Sequence, residues 1–216
     1  PGACVIDTST ISAAATREFA QRLRGLGVDM LDAPVSGGRQ GAEHGSLTCM
    51  AGGPEAVFEA CRIPVSAIAA RYLHMGGHGA GQVAKSCNQV AVASAVMGVA
   101  EALALARKQG LDPATVREAL LGGAARGFAL EQHGRRMIDR DFVPGFTAAL
   151  MRKDLGLASE AARASGAFLP AADGVLQLLE TLCAEGSGEL DWSALGALIE
   201  RLSGVDTPID DKAGTP

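Results

Sequence analysis

Aromatic side chains are scarce. The 216 residues hold one Trp, one Tyr and six Phe, which leaves little surface on which bases could stack. No basic cluster stands out either, with 19 Lys and Arg against 24 Asp and Glu and a formal charge of -5. These two shortages argue against nucleic acid as a partner. Cysteine is present but unpatterned. The five cysteines are odd in number and widely spaced, none forms a C-x-x-C pair, and the four histidines do not cluster. That excludes a disulfide framework and a structural zinc site, and the expectation is a reduced, cytoplasmic protein without bound metal. No signal peptide opens the chain. The uncharged run from Ser86 to Ala100 is shorter than the ~20 apolar residues of a membrane span, so no membrane association is expected. Asn88 and Gln89 lie inside that run, and a buried core helix is the reading they favour.

What the chain does have is the means to fold. Hydrophobic residues make up 48% and charged residues only 20%, enough to bury a substantial core in one large or two small domains. Residues 1–75 alternate between strand-like and helix-like stretches. Cys4-Val5-Ile6-Asp7, Val28 to Ala33, Leu47 to Ala51 and Arg71 to His74 read as strands. Residues 13–25 read as a helix with Ala15, Phe19 and Leu23 on one face, and Pro54 to Ala60 as a short helix. The alternation predicts a mixed or parallel sheet flanked by helices.

Beyond Gly79 the character changes. A long, nearly uncharged helix is expected from about Gln82 to Lys108. Gly110 stops it, and Asp112-Pro113 restarts the chain with an N-cap and a proline at the first helical position. Helices follow at about 114–121, 129–138, 147–165, 171–185 and 192–203, with no further strand, and a polar tail is expected from 204 to 216. The predicted fold class is therefore α/β followed by all-α. The predicted domains are residues 1–78 and 79–203.

One charge interrupts the glycine-rich entry to the long helix. In Gly77-His78-Gly79-Ala80-Gly81-Gln82-Val83-Ala84-Lys85-Ser86-Cys87-Asn88-Gln89, Lys85 shares a helix face with Asn88 and Gln89. A cation held there beside amide groups is suited to donate a proton or polarise a carbonyl. It could equally be a surface lysine that happens to open a buried helix. Gly79-Ala80-Gly81-Gln82-Val83-Ala84 satisfies G-x-G-x-x-G/A formally. However, the helix after it is too long for a βαβ crossover and no strand follows, so it reads as a decoy. Ser36-Gly37-Gly38, after a strand, would offer backbone N–H groups to an anion such as a carboxylate, or simply make a tight turn. Asp7, Asp32 and Asp154 have no spacing that marks a metal site. His44, His74, His78 and His133 read as structural or exposed.

Taken together, four blocks resemble the β-hydroxyacid dehydrogenase family, which includes 3-hydroxyisobutyrate dehydrogenases. They are Asp7-Thr8-Ser9-Thr10; Asp32-Ala33-Pro34-Val35-Ser36-Gly37-Gly38 with Gly41-Ala42 and Gly45; Gly79-x-Gly81 through Lys85 to Asn88-Gln89; and Pro144-Gly145-Phe146 to Lys153-Asp154-Leu155. The resemblance implies a Rossmann-type dinucleotide-binding portion joined through a long buried helix to a helical domain. The implied activity is an oxidoreductase using NAD or NADP. By the same resemblance Lys85 is the catalytic lysine, while Ser36, Gly37, Gly38, Asn88, Gln89 and Asp154 hold substrate. Thr10, Phe146 and Lys153 contact the cofactor, the last two from the helical domain. The Asn88-Gln89 pair, the stretch Leu130 to Ile138 and the stretch Leu190 to Leu195 are similar to the branch that reduces 2-hydroxy-3-oxopropionate (tartronate semialdehyde) to glycerate. A 3-hydroxyisobutyrate dehydrogenase or related semialdehyde reductase is the alternative, and homodimers or homotetramers are expected.

The family opens with a G-x-G-x-M-G segment that these 216 residues do not contain. The glycines and helix N-terminus that hold a pyrophosphate are in that segment, so the 216 residues by themselves are expected to bind cofactor poorly. A non-catalytic assembly module built on the uncharged helix is the reading of a different class.

Overall fold

The computed structural model describes residues 2–205, and the tail expected from 206 onward lies outside them. Two compact units divide the chain: residues 1–89 with 156–168, and residues 90–155 with 169 onward.

The first unit is built on a five-stranded mixed sheet. Strands β1 (Cys4–Asp7) and β2 (Asp29–Asp32) run parallel in full register, linked by helix α1 (Ala13–Gly25). Strand β4 (Leu47–Gly52) is antiparallel to β2 through Asp32 and Gly52. It is also antiparallel to the two-residue β3 (Val35–Ser36), and parallel to β5 (Ala69–Gly76). Helices α2 (Gly38–Glu43), α3 (Glu55–Ala60) and α4 (Arg62–Ser66) fill the connections. Leu31, Ala33, Cys49, Ala51, Phe58 and Val65 form the core of this unit. The short β3 and α2 were not visible as elements in the sequence. The Ser36-Gly37-Gly38 turn opens α2 instead of only turning the chain, with Gly37 at φ +131° and Gly38 at φ +61°.

Helix α1 departs from its expected face. Its buried residues are Thr16 and Ala20, while Phe19 stays 42% exposed. Thr16 and Ala20, four residues apart, share the buried face, and residue 19 lies about 100° round the helix from Ala20. Ser12 caps its start by accepting from the Ala15 N–H at 3.1 Å.

Helix α5 (Ala80–Lys108) supplies its first turns to the first unit and the remainder to the second. The second unit continues with α6 (Pro113–Leu121), a π-helical turn at Ala129–His133, α7 (Gly134–Asp139) and α8 (Ala148–Ser165), whose last turns count with the first unit. It ends with α9 (Pro170–Ala184), a 3₁₀ turn at Trp192–Ala194 and α10 (Leu195–Leu202). The α/β-then-all-α order is the one the sequence predicts. Ala93, Val96, Ala100 and Leu103 of α5 are buried against Met151, Leu155, Val175, Leu179 and Leu198.

Among the described residues α5 is the one helix long and apolar enough to cross a membrane. The uncharged run Ser86 to Ala100, read from the sequence as shorter than a membrane span, lies inside this 29-residue helix. Ala80 and Gly81 extend it ahead of the expected start at Gln82, and one face of it is protein core.

Candidate functional site

Helix α5 begins in contact with the backbone of two strands, and that contact sets the site. Asp32, fully buried at the end of β2, accepts the Gly79 N–H at 2.8 Å and the Gln82 N–H at 3.1 Å. A carboxylate at this point satisfies two N–H groups that a helix start leaves unpaired. A Cβ on Gly81 would lie 2.4 Å from the Met50 carbonyl oxygen and 2.7 Å from that of Asp32. Gly79 has φ +87°, a conformation glycine adopts without strain. The G-x-G spacing therefore serves close helix–strand packing, in agreement with its reading as a decoy.

With its start anchored in this way, α5 presents one polar face. Lys85 is 8% exposed, and its Nζ donates to the Val35 carbonyl at 2.9 Å. The next residue of β3, Ser36, donates its hydroxyl to Asn88 Oδ1 at 3.2 Å, and Asn88 Nδ2 donates to Gln89 Oε1 at 2.8 Å. Ser36, Asn88 and Gln89 thus form one hydrogen-bonded chain, Lys85 is tied to the residue before Ser36, and the exposed Gly37 and Gly38 follow Ser36. The Lys85 ammonium is buried with a carbonyl partner, so the reading as a chance surface lysine does not hold.

The loop after β1 borders the same helix. Gln82, 1% exposed, accepts the Ile11 N–H at 3.2 Å through Oε1 and donates to the Ser9 carbonyl at 2.9 Å through Nε2. Half-buried Thr10 sits between those two anchors. Thr8, Ser9 and Thr10 lie where the chain leaves the C-terminal end of a parallel strand, the usual place for a ligand in such sheets. Their hydroxyl-bearing donor set is compatible with the ribose and amide groups of a pyridine nucleotide.

The remaining predicted residues belong to the second unit. Lys153 Nζ is 3.0 Å from Asp154 Oδ1, with Asp154 almost fully buried. The Phe146 N–H donates to Asp191 Oδ2 at 3.2 Å, and its carbonyl accepts the Trp192 N–H at 3.0 Å. Asp191 is the organiser of this region. The same Oδ2 also accepts Gly145 N at 3.0 Å and Arg136 Nη1 at 3.1 Å, while Oδ1 accepts Ser193 N at 3.0 Å and Ser193 Oγ at 2.6 Å. His133 lies edge-on to Trp192 at 4.9 Å, with its Nδ1 lacking a hydrogen-bond partner. Burial holds its pKa below the ordinary 6.5, the Arg136 cation adds to that, and the Asp191 carboxylate opposes it.

Sequence reasoning gave no role to Asp32, Gln82 or Asp191. Gln82 had one available signal, its place one turn before Lys85 on the same face. Asp32 and Asp191 act on backbone N–H groups 45–50 residues distant in the chain, and spacing does not reveal that. Among the described residues no group of three or more His, Cys, Asp and Glu side chains could hold a metal ion.

Two family models cover most of the chain. The one describing the NAD-binding region of NADP-dependent 3-hydroxyisobutyrate dehydrogenase matches residues 79–199. The one describing the NAD-binding domain of 6-phosphogluconate dehydrogenase matches residues 1–77. The chain is 45% identical to 2-hydroxy-3-oxopropionate reductase of Escherichia coli, over 94% of its own length and 69% of the reductase. A crystal structure of 3-hydroxyisobutyrate dehydrogenase from Salmonella typhimurium superposes with a TM-score of 0.85 at 33% identity, covering 92% of this chain and 70% of the dehydrogenase. The 3-hydroxyisobutyrate dehydrogenase of Mycobacterium tuberculosis, solved with L-serine, gives a TM-score of 0.83 at 35% identity, covering 91% and 70%.

Proposed function

Because the chain belongs to the 3-hydroxyisobutyrate dehydrogenase-like β-hydroxyacid dehydrogenases, NAD(P)-dependent oxidoreductases, we propose that it reduces 2-hydroxy-3-oxopropionate to glycerate with Lys85 as proton donor. The observation that carries this reading is the buried Lys85 ammonium, held on the Val35 carbonyl beside Ser36 and one turn from Asn88. The bound cofactor supplies the hydride that is delivered to the substrate carbonyl carbon.

The chain's own residues do the rest. Lys85 donates a hydrogen bond and then a proton to the carbonyl oxygen as charge builds on it, and recovers a proton from solvent afterwards. In the oxidative direction the neutral amine accepts the hydroxyl proton. The Ser36 hydroxyl and the N–H groups of Gly37 and Gly38 hold the substrate carboxylate, since the first N–H groups of α2 have no partner within that helix. Asn88 and Gln89 orient the substrate hydroxyl. Thr10, Phe146 and Lys153 are the residues that would hold the cofactor, and Asp154, assigned to the substrate, is ion-paired with Lys153. A second copy of the chain is the expected partner. The reading is supported by the exposed, uncharged stripe Ala91, Ala95 and Gly98 of α5, which borders a groove of about 450 Å³ with Phe128.

The choice of 2-hydroxy-3-oxopropionate rests on the Asn88-Gln89 pair and on the 45% identity to the Escherichia coli reductase. Similarity to two 3-hydroxyisobutyrate dehydrogenases favours oxidation of a 3-hydroxyacid as the second reading. Comparing kcat/KM for tartronate semialdehyde, methylmalonate semialdehyde and succinic semialdehyde decides between them. The proposal expects tartronate semialdehyde to lead by about tenfold or more, the discrimination a site built to bond one substrate hydroxyl provides. A lead for methylmalonate semialdehyde would transfer the assignment to the second reading.

A further inference from the structure

Gln82 has no place among the residues that touch substrate or cofactor, yet its side chain is almost completely buried and both ends of its amide are engaged. Its Oε1 takes the N–H of Ile11 and its Nε2 gives to the carbonyl of Ser9, the two backbone groups that flank Thr10. The amide therefore does for the loop what a neighbouring strand does for an extended segment. It satisfies one donor and one acceptor two residues apart and fixes the dihedral angles between them. The other end of the loop is closed by the Ser9 N–H on Asp7 Oδ1 at 3.0 Å. Gln82 is itself held rigidly, because its own N–H is on Asp32 Oδ2 at 3.1 Å and its carbonyl accepts Ser86 Oγ at 3.0 Å. It stands three residues before Lys85, one turn away on the same helix face.

Burial of a side-chain amide is unfavourable unless its hydrogen bonds are made. A loop at a strand end could instead take its hydrogen bonds from water. We propose that Gln82 is a positioning residue: a strut from α5 that fixes Thr10 relative to Lys85. It couples the loop to the helix bearing the proton donor, so that displacement of one is transmitted to the other. This rests on the roles given above to Lys85 and Thr10.

The test uses Gln82→Met, which keeps length and volume but loses both bonds; Gln82→Glu, which keeps an acceptor for Ile11 and turns an oxygen toward the Ser9 carbonyl; Thr10→Ala; and the double variant Thr10→Ala with Gln82→Met. Amide hydrogen exchange at Ile11 reads the strut without any cofactor. In Gln82→Met it should quicken by about tenfold or more while exchange in β4 stays as in the parent protein. The same variant should lower kcat more than it alters KM, and that loss should largely vanish when Thr10 is already Ala, because residues acting as a unit are non-additive. If Gln82→Met does not fold, Gln82→Glu carries the test, with Ile11 protection kept and kcat lowered. Unchanged Ile11 exchange in Gln82→Met, or losses that multiply independently in the double variant, would overturn the proposal. A fully active Lys85→Ala control would instead overturn the catalytic reading, and the Ile11 exchange result would stand apart from it.

Discussion

At Gly81 one added methyl group decides how close a helix can come to a sheet. Its Cβ would meet the backbone carbonyls of Met50 and Asp32, atoms that cannot rotate away, so Gly81→Ala should destabilise by about 1–3 kcal/mol. For a chain of this length that is a fall in Tm of about 2–4 °C per kcal/mol, read by calorimetry. An unchanged Tm would show that the helix start can shift without penalty. His133 gives a second handle. Its native pKa is depressed, so as pH falls below 6.5 the unfolded chain takes up the proton first. The stability tied to neutral His133 is complete above that pH and declines as pH falls toward the native value. Urea midpoints at about pH 7.5 and about pH 5.5 should therefore differ less in His133→Phe than in the parent protein. Lys85 was legible in the sequence because it is the lone charge at the start of an uncharged helix. Gln82 was not, because its backbone partners lie 71 and 73 residues away.

Elements were read best where one periodicity ran long. Helices α5, α8 and α9 match their expected spans to within two residues at each end, and the four expected strands are all present. What escaped was short or set by tertiary contact. Strand β3 is two residues that exist only because β4 pairs with them, and α2 begins at glycines that local chemistry reads as a turn. The face of α1 was misassigned because burial there follows closeness to the sheet more than hydrophobicity. Asp32 acts at the scale of an element, since it caps a 29-residue helix from a neighbouring strand. Asp32→Ala would leave the Gly79 and Gln82 N–H groups buried without their acceptor, at about 1–3 kcal/mol for each such group. Denaturant unfolding should record that loss, with Asp32→Asn intermediate because it keeps one oxygen. A loss no larger than that of a surface substitution would remove Asp32 from the account of how the site is built.

Across the whole molecule, the switch from alternating strands and helices to helices alone was plain in the sequence, and both compact units carry it. The grouping of Lys85, Ser36, Asn88 and Gln89 was implied by a resemblance spread over four separated blocks, and in the fold Lys85 bonds the Val35 carbonyl of β3 while Ser36, Asn88 and Gln89 are linked side chain to side chain. In the second unit, Glu200 is buried with Arg107 Nε at 2.8 Å and with Arg140, an ion cluster that helical periodicity does not announce. The account as a whole stands on Lys85 as the group that moves the proton. Its most direct test is the steady-state reduction of 2-hydroxy-3-oxopropionate by the parent enzyme and by Lys85→Ala, with Tm measured on both. The prediction is a kcat lower by about 10²–10⁴-fold, the usual worth of a general acid, in a protein that still folds. Full activity in Lys85→Ala would contradict it.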